Sequence, residues 1–294
     1  MLLVMKNLTV VSDYNFLAKG LTLYESLTKF DDAFTMHYLC IDKETLSKLQ
    51  EINLPNVVAY DLEDLLKVDP VLAALKEEDY RYFCWSLASY FTYFIYLKHK
   101  CDLTYIDSDI YFHENFNIVF NSIGETDIGL FRHRQYPVSQ PNGNGWFNVG
   151  VVHFKDTKVA SEHLHWWANA VLYKRFPALA TCGDQRYLDV FTVLPREHLF
   201  VDGEIGHGAP WHWQLYDLST YDQDKRITWE GKKQKLVFSH FSQFEYDLEK
   251  DTYTPCTTHE CFTPFDMYES VPNLKKIYDD YFEQIKKTHE AYKL

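Results

Sequence analysis

Glycine and proline are scarce in this chain, 11 and 10 residues in 294, and they are scattered rather than clustered. That scarcity excludes a low-complexity or collagen-like segment and leaves no evident flexible linker. Positive charge is short as well. With 29 Lys and Arg against 42 Asp and Glu, the net charge is −13. A nucleic-acid backbone, which needs clustered cations, is therefore excluded as the main partner, although a local basic site stays open. No apolar run approaches membrane-spanning length, and no repeat recurs at a solenoid period. The opening Met1-Leu2-Leu3-Val4-Met5-Lys6 is too short for a signal peptide and carries its charge on the wrong side. The expectation is a soluble, cytoplasmic protein.

What the chain has in quantity is aromatics, with 22 Tyr and 21 Phe, and enough length to bury a large core as one α/β unit or two small domains. Cys40, Cys84, Cys101, Cys182, Cys256 and Cys261 are spread widely, which in a reducing compartment reads as free thiols filling the core. Cys256, His259 and Cys261 offer three soft ligands and no fourth, so a closed zinc site is disfavoured.

The pattern predicts a strand over 6–12, a polar turn at Asp13-Tyr14-Asn15, and a helix with apolar residues at Phe16, Leu17, Leu21, Leu23, Tyr24 and Leu27. A second strand (34–41), a second helix (43–52) and a third short strand (56–60) follow. This alternation points to a three-layer α/β domain whose ligands bind at the carboxyl ends of the strands, where Ser12 and Asp13 lie. Residues 61–75 read as a helix broken near Pro70, and 80–98 as a helix apolar nearly all round.

The chemistry concentrates at Leu103-Thr104-Tyr105-Ile106-Asp107-Ser108-Asp109-Ile110-Tyr111-Phe112. Alternation along an extended segment would put Asp107 and Asp109 on one face, a pincer suited to a hard divalent cation. The bland alternative is a strand ending in a turn that satisfies itself. Further on, Arg132-His133-Arg134 ends a strand predicted over 127–131, and is either solvated or turned toward an anion. Residues 140–145 form a flexible loop, and 146–154 a buried strand interrupted by Asn148 and Gly150. That interruption is either a bulge or a close approach of substrate to backbone. A packed helix is expected over 157–174. Asp184 either caps the short helix that Gln185 opens or lines a polar pocket with it. His240 ends a late strand (236–241) and by itself reads equally as a core histidine. The closing helix within 269–294 buries Leu274, Ile277, Tyr278, Tyr281, Phe282 and Ile285. Its lysines leave a peripheral contact with the inner face of a membrane open, and Asp279, Asp280, Glu283 and Glu290 weaken that reading.

Tyr105-Ile106-Asp107-Ser108-Asp109, Asn148-Val149-Gly150, Asp184-Gln185-Arg186-Tyr187-Leu188-Asp189, Ala209-Pro210-Trp211 and His240-Phe241 follow one another in that order. In sequence and rough spacing, from about Leu8 to about Phe244, they resemble glycosyltransferases of the GT-A fold. The resemblance is to the group of glycogenin and the bacterial lipopolysaccharide galactosyltransferases, and within it to a polysaccharide-related bacterial branch.

The resemblance implies an α/β GT-A fold: a single three-layer Rossmann-like domain with a mixed central sheet over 1–250. Residues 1–110 would be its nucleotide-binding half and 111–250 its acceptor half, with a C-terminal helical extension over 251–294. It implies a metal-dependent glycosyltransferase moving a sugar from a nucleotide-sugar, a UDP-sugar in most such enzymes, to a glycan or glycolipid hydroxyl with retention. Asp107, Asp109 and His240 would hold the metal. Their mixed carboxylate and imidazole set suits Mn²⁺ better than Mg²⁺. Ser12, Asp13 and Ser108 would hold the nucleotide, with Asp13 on the base and Phe16 or Tyr14 covering it. Asn148 and Gly150 would line the sugar, and Asp184 and Gln185 would face the transferred sugar and the acceptor. An inverting enzyme could instead use Asp184 as general base.

The chain departs from the group in two places. Gln243 and Tyr246 stand where a glycine and a lysine hold the diphosphate, and Trp85-Ser86-Leu87-Ala88-Ser89 replaces a segment that often carries a basic residue. Phosphate charge then falls to the metal, to backbone donors, or to Arg132 and Arg134. A sugar-phosphate nucleotidyltransferase would need a glycine-rich basic loop where Ser12-Asp13-Tyr14-Asn15-Phe16 stands. A non-catalytic carbohydrate-binding protein would explain the aromatics but not the paired carboxylates.

Overall fold

Five aspartates punctuate the first half of the chain, Asp13, Asp42, Asp61, Asp69 and Asp79, each capping the helix that follows it. The computed structural model describes residues 5–134, 143–180, 183–203, 205–257 and 263–294. It opens with β1 (Lys6–Ser12), α1 (Tyr14–Thr28), β2 (Phe34–Cys40), α2 (Lys43–Ile52) and β3 (Val57–Asp61), the alternation that the apolar pattern predicts. Asp13 caps α1 by accepting from Phe16 N at 3.1 Å, and Asp42 caps α2 by accepting from Thr45 N at 2.7 Å.

The break expected near Pro70 is a full stop. α3 (Leu62–Val68) ends, Asp69 accepts from Val71 N at 2.8 Å, and Pro70 begins α4 (Pro70–Glu78) where its missing N–H costs nothing. α5 (Tyr80–His99) then leads to β4 (Leu103–Ile106) and β5 (Ile110–Phe112). Here the extended-segment reading needs correction. Asp107, Ser108 and Asp109 form a turn, closed by Ile110 N donating to Asp107 O at 3.1 Å, and the strands on either side belong to different sheets. A turn, not the pleat, brings the two carboxylates to one side.

The remaining elements are α6 (Asn117–Ile123), β6 (Ile128–Arg132), β7 (Phe147–Phe154), α7 (Lys158–Leu172), the 3₁₀ helix Gln185–Val193, β8 (Leu199–Val201), β9 (Gly206–Gly208), α8 (Tyr221–Asp224), β10 (Arg226–Trp229), β11 (Lys232–His240), β12 (Glu245–Asp247), β13 (Thr252–Thr254), α9 (Met267–Ser270) and α10 (Pro272–Tyr292). The main sheet runs β3-β2-β1-β4-β7-β6-β8, parallel from β3 to β4 and antiparallel on both sides of β7, so it is mixed. One apolar core packs α5, α7 and the 3₁₀ helix on one face, and a second packs α1 and α6 on the other, giving the three layers. A smaller sheet, β10-β11-β5 with β9 beside β11, carries His240 at its end. The strand order turns back beside β1, and a crevice opens at the carboxyl ends of β1 and β4.

α10 buries the predicted apolar face. Tyr281 stacks on Phe241 with ring centroids 3.7 Å apart, and Thr288 meets Thr22 of α1 at 2.9 Å. The face that a membrane contact would use is therefore occupied by the protein's own body, while Lys275 and Lys276 pair outward with Asp279 and Asp280. No helix among the described residues is long and apolar enough to cross a membrane. Cys40, Cys84 and Cys101 are free thiols, but Cys256 is disulfide-bonded, which corrects the free-thiol expectation there. Cys182, the residues 258–261 of the suggested zinc cluster, and the first part of the 140–145 loop lie outside the described residues.

Candidate active site

A cavity of about 590 Å³ opens at the ends of β1 and β4, within the size range of small-molecule sites. Ser12, Asp13 and Phe16 line one side, Asp107, Ser108 and Asp109 its floor, and Asn148, Asp184 and Gln185 the far side. Sequence reasoning grouped these residues across 174 positions, and the fold brings them to one place. Gly150 is the exception: among the described residues it is not part of the lining, and lies behind His240 instead.

The metal candidates converge. His240 Nε2 lies 3.0 Å from Asp109 and 3.6 Å from Asp107, and one ligand atom from each of the three residues falls within 4.8 Å of the others. The ring's orientation is fixed from behind. Asn148 Oδ1 accepts from Gly150 N at 2.9 Å, so it is the amide oxygen, and His240 Nδ1, 3.1 Å away, must donate to it. In the neutral ring that leaves Nε2 as the lone-pair nitrogen, the tautomer a metal ligand requires; without a cation, Asp109 and Asp107 favour a proton on it. Gly150 makes the arrangement possible, because a Cβ there would lie 2.6 Å from Asn148 Oδ1 and 2.7 Å from His240 Nδ1. A register shift between β6 and β7 accompanies it, so the bulge reading holds, and what comes close to the Gly150 backbone is the His240 ring.

Charge in the triad is poorly balanced. Burial pushes the Asp107 carboxyl up and the charge of Asp109 adds to that, against the pull of His240. At Asp109 burial acts the same way, but His240 and then Lys19 outweigh it and leave the group lowered. His240 is lowered by burial and raised more strongly by Asp109 and Asp107. Two carboxylates sharing one imidazole, Asp109 buried and Asp107 half-buried, form a donor set that fits a divalent cation, which would replace the proton they otherwise compete for.

Asp184 does not cap its helix. Its side chain makes no capping bond, its Oδ2 is buried without a partner, and burial followed by the charge of Asp107 pushes its carboxyl well above the ordinary range. Gln185 is tethered: Oε1 accepts from Asn148 Nδ2 at 2.9 Å and Val149 N at 3.2 Å, and Nε2 donates to Asn144 O at 2.8 Å. Ser12 donates to Asp13 O at 3.1 Å and meets the Tyr38 hydroxyl at 2.6 Å, while Phe16 stays 42% exposed at the rim, free to cover a flat ligand.

Arg132 and Arg134 do not face the cavity. Both donate to buried Asp202, Arg132 Nε at 2.7 Å and Arg134 Nε at 2.9 Å, and both lie over the Trp229 ring. The anion they neutralise is internal, so the reading in which they meet a ligand phosphate is corrected. Their neighbour His133 does line the cavity, stacked on Trp211 at 4.5 Å, with Trp211 edge-on to His240 at 5.2 Å. His133 Nδ1 and Trp211 Nε1 are buried without partners. Sequence reasoning missed His133 as a wall residue, along with Arg81, Cys84 and Ser242. The Ala-Pro-Trp motif was the one signal for this wall.

No family model matches the chain. The uncharacterized protein YfnF of Bacillus subtilis (strain 168) is 29% identical over 250 residues, 78% of this chain and 78% of that one. Among solved structures, galactosyltransferase LgtC in complex with donor and acceptor sugar analogues superposes with a TM-score of 0.59 at 12% identity, covering 96% of this chain and 95% of that one. Mouse xyloside xylosyltransferase 1, in its apo form, gives 0.54 at 18% identity over 81% and 98%. The chain has the GT-A glycosyltransferase fold. Within that GT-A frame, the cavity and the acidic triad sit together at the crevice where an α/β sheet of this kind binds its ligand.

Proposed function

We propose that this protein is a metal-dependent glycosyltransferase that moves a sugar from a UDP-sugar to a hydroxyl of a glycan or glycolipid, with retention, in polysaccharide or glycoconjugate synthesis. The observation that carries the reading is the convergence of Asp107, Asp109 and His240 in the cavity, with the His240 tautomer set by Asn148.

When bound there, a divalent cation, Mn²⁺ by the donor set, would supply positive charge against the departing diphosphate, worth several kcal/mol in such chemistry, roughly. The protein's own residues do the rest. Asp13 accepts from the base, and Phe16 covers its face. Asn148 and Gln185, bonded to each other, present a fixed polar edge to the transferred sugar. Asp184, buried with Oδ2 unpartnered, offers a carboxyl group to a sugar hydroxyl. The neutral, aromatic wall of His133, Pro210 and Trp211 suits a sugar acceptor.

Thermal denaturation tests the reading. UDP with Mn²⁺ at a hundredfold excess over its dissociation constant should stabilise the fold by about 2.7 kcal/mol, on the order of 5 °C for a chain of this size. UDP without metal should leave Tm unchanged. A protein that binds free glycan without metal and ignores UDP would instead be a carbohydrate-binding module. A screen of UDP-sugars for slow donor hydrolysis would then name the sugar.

A further inference from the structure

A nucleoside diphosphate brings negative charge into a site that already holds two carboxylates; Arg81, over the Trp85 ring, is one cation on the cavity wall, and two others near the site in sequence are committed elsewhere. Arg132 and Arg134 serve Asp202, and the segment Phe241-Ser242-Gln243-Phe244-Glu245-Tyr246 after His240 contains no lysine or arginine. Lys19 approaches from another element. It lies on α1 one turn beyond Phe16, is 6% exposed, donates from Nζ to Phe244 O at 2.7 Å, and sits 4.5 Å from the centre of the Phe16 ring.

That bond closes a chain of contacts ending on a metal candidate. Phe244 N donates to Phe241 O at 3.1 Å, and Phe241 N donates to Asp109 O at 2.9 Å. Between these anchors Ser242 and Gln243 form part of the cavity wall. Gln243 adopts φ of 60°, a left-handed conformation that a residue with a Cβ resists, so the turn has to be held from outside. Its carbonyl accepts from Thr257 N at 3.2 Å, and the carbonyl of Phe244 is held by Lys19. Burying an ammonium for one carbonyl bond is unfavourable unless a charge answers it. Burial lowers Lys19, and Asp109 followed by Glu245 answers it.

We infer that Lys19 is a positioning residue for the donor's diphosphate, locking the Phe241–Phe244 turn against α1 and placing fixed positive charge behind the wall that the diphosphate meets. The inference rests on the transferase reading above and adds to it a residue from outside the motifs.

Calorimetric titration of UMP and UDP, each with Mn²⁺, into the wild type and the variants K19Q, K19M and K19R tests it. Both ligands share the base and ribose, so the ratio of their dissociation constants isolates the second phosphate. In K19Q and K19M that ratio should shrink by about tenfold, the weight of one charge–charge interaction across a protein wall. K19R should keep it within about threefold of wild type. K19Q retains a donor for Phe244 O and stands in if K19M does not fold. An unchanged ratio in K19Q, whatever happens to Tm, reduces Lys19 to a structural role and overturns the inference. A wild type that binds no UDP with Mn²⁺ overturns the transferase reading, and this inference falls with it.

Discussion

The molecule buries charge in two places, and the two are built on opposite terms. Around Asp202 every charge is answered. Arg134 donates to Asp202, to Tyr216 at 3.0 Å and to Ile205 O at 3.1 Å, with Trp229 covering the guanidinium at 3.9 Å. Burial acts to raise the Asp202 carboxyl, but His207, Arg134 and Arg132 outweigh it and hold the group well below the usual range. Around Asp107 and Asp109 the opposite holds: two carboxylates share one imidazole, Asp184 Oδ2 has no partner, and a cavity lies beside them. A cluster whose charges balance holds the fold, whereas one whose charges do not, beside a cavity, has capacity left for a ligand.

The contrast breaks if either cluster can be swapped for neutral atoms without its own characteristic loss. The largest effect expected is on activity. Asp109→Asn should lower metal-dependent sugar transfer or donor hydrolysis by about a thousandfold, roughly 4 kcal/mol of transition-state stabilisation. It should also abolish the Tm rise with UDP and Mn²⁺ while leaving the metal-free protein within about 1 kcal/mol of wild type. An unaltered metal-dependent shift in that variant would remove the metal assignment.

Second in size is the mirror experiment. Asp202→Asn leaves two guanidinium groups, one of them fully buried, without their counter-ion, and should cost about 3–5 kcal/mol in urea denaturation. Activity per folded molecule should be retained. If Asp202→Asn instead abolished UDP binding without loss of stability, the basic pair would belong to the active site after all.

These outcomes bear on what a sequence can show. The α/β alternation from Lys6 to Asp61 and the stop at Pro70 were legible because caps, proline geometry and apolar periodicity are local. The triad was legible only through motif order, since nothing local relates Asp109 to His240. Arg132-His133-Arg134 announced charge at a strand end, but the acid that claims it lies some 70 residues on, at Asp202, beyond any local rule. Asp184 carried a helix-start signal and does precede a helix, yet its backbone stays helical (φ −88°, ψ −19°), where the side chain does not cap. β9 at Gly206–Gly208 escaped because two of its three residues have no side chain to show a period, and it exists through pairing with β11.

Acid should separate the clusters next. His113, His133 and His153 are pushed down to about 3 by burial, so the folded protein keeps them neutral while the unfolded chain protonates them near pH 6.5. The unfolded state then binds more protons across that interval, and stability must fall as pH drops from about 6.5 toward 3, by up to about 1.4 kcal/mol per unit for each such group. Asp202 is lowered instead, so its contribution is present above its unfolded pKa and fades below about pH 4. Urea titrations of wild type and Asp202→Asn should therefore run parallel from pH 7 to 5 and converge below 4. A constant gap down to pH 3 would mean that Asp202 is not held ionised by its neighbours.

The smallest effect expected sharpens the contrast most, because it touches no charge. Gly150→Ala would press a methyl group against Asn148 Oδ1 and His240 Nδ1, the two atoms whose bond fixes the imidazole. The backbone there is extended within β7 and adopts no left-handed angle, so the cost comes from the overpacked contact alone, about 1–3 kcal/mol of stability, with the strain appearing in the orientation of His240. Turnover should fall about tenfold, with a matching rise in the Mn²⁺ concentration needed for half-maximal activity, as for loss of a group that orients a ligand. Excess Mn²⁺ should restore part of the rate. A Gly150→Ala enzyme with unaltered Mn²⁺ dependence would show that His240 holds its place without Asn148, and that the unbalanced cluster is kept open by the carboxylates alone.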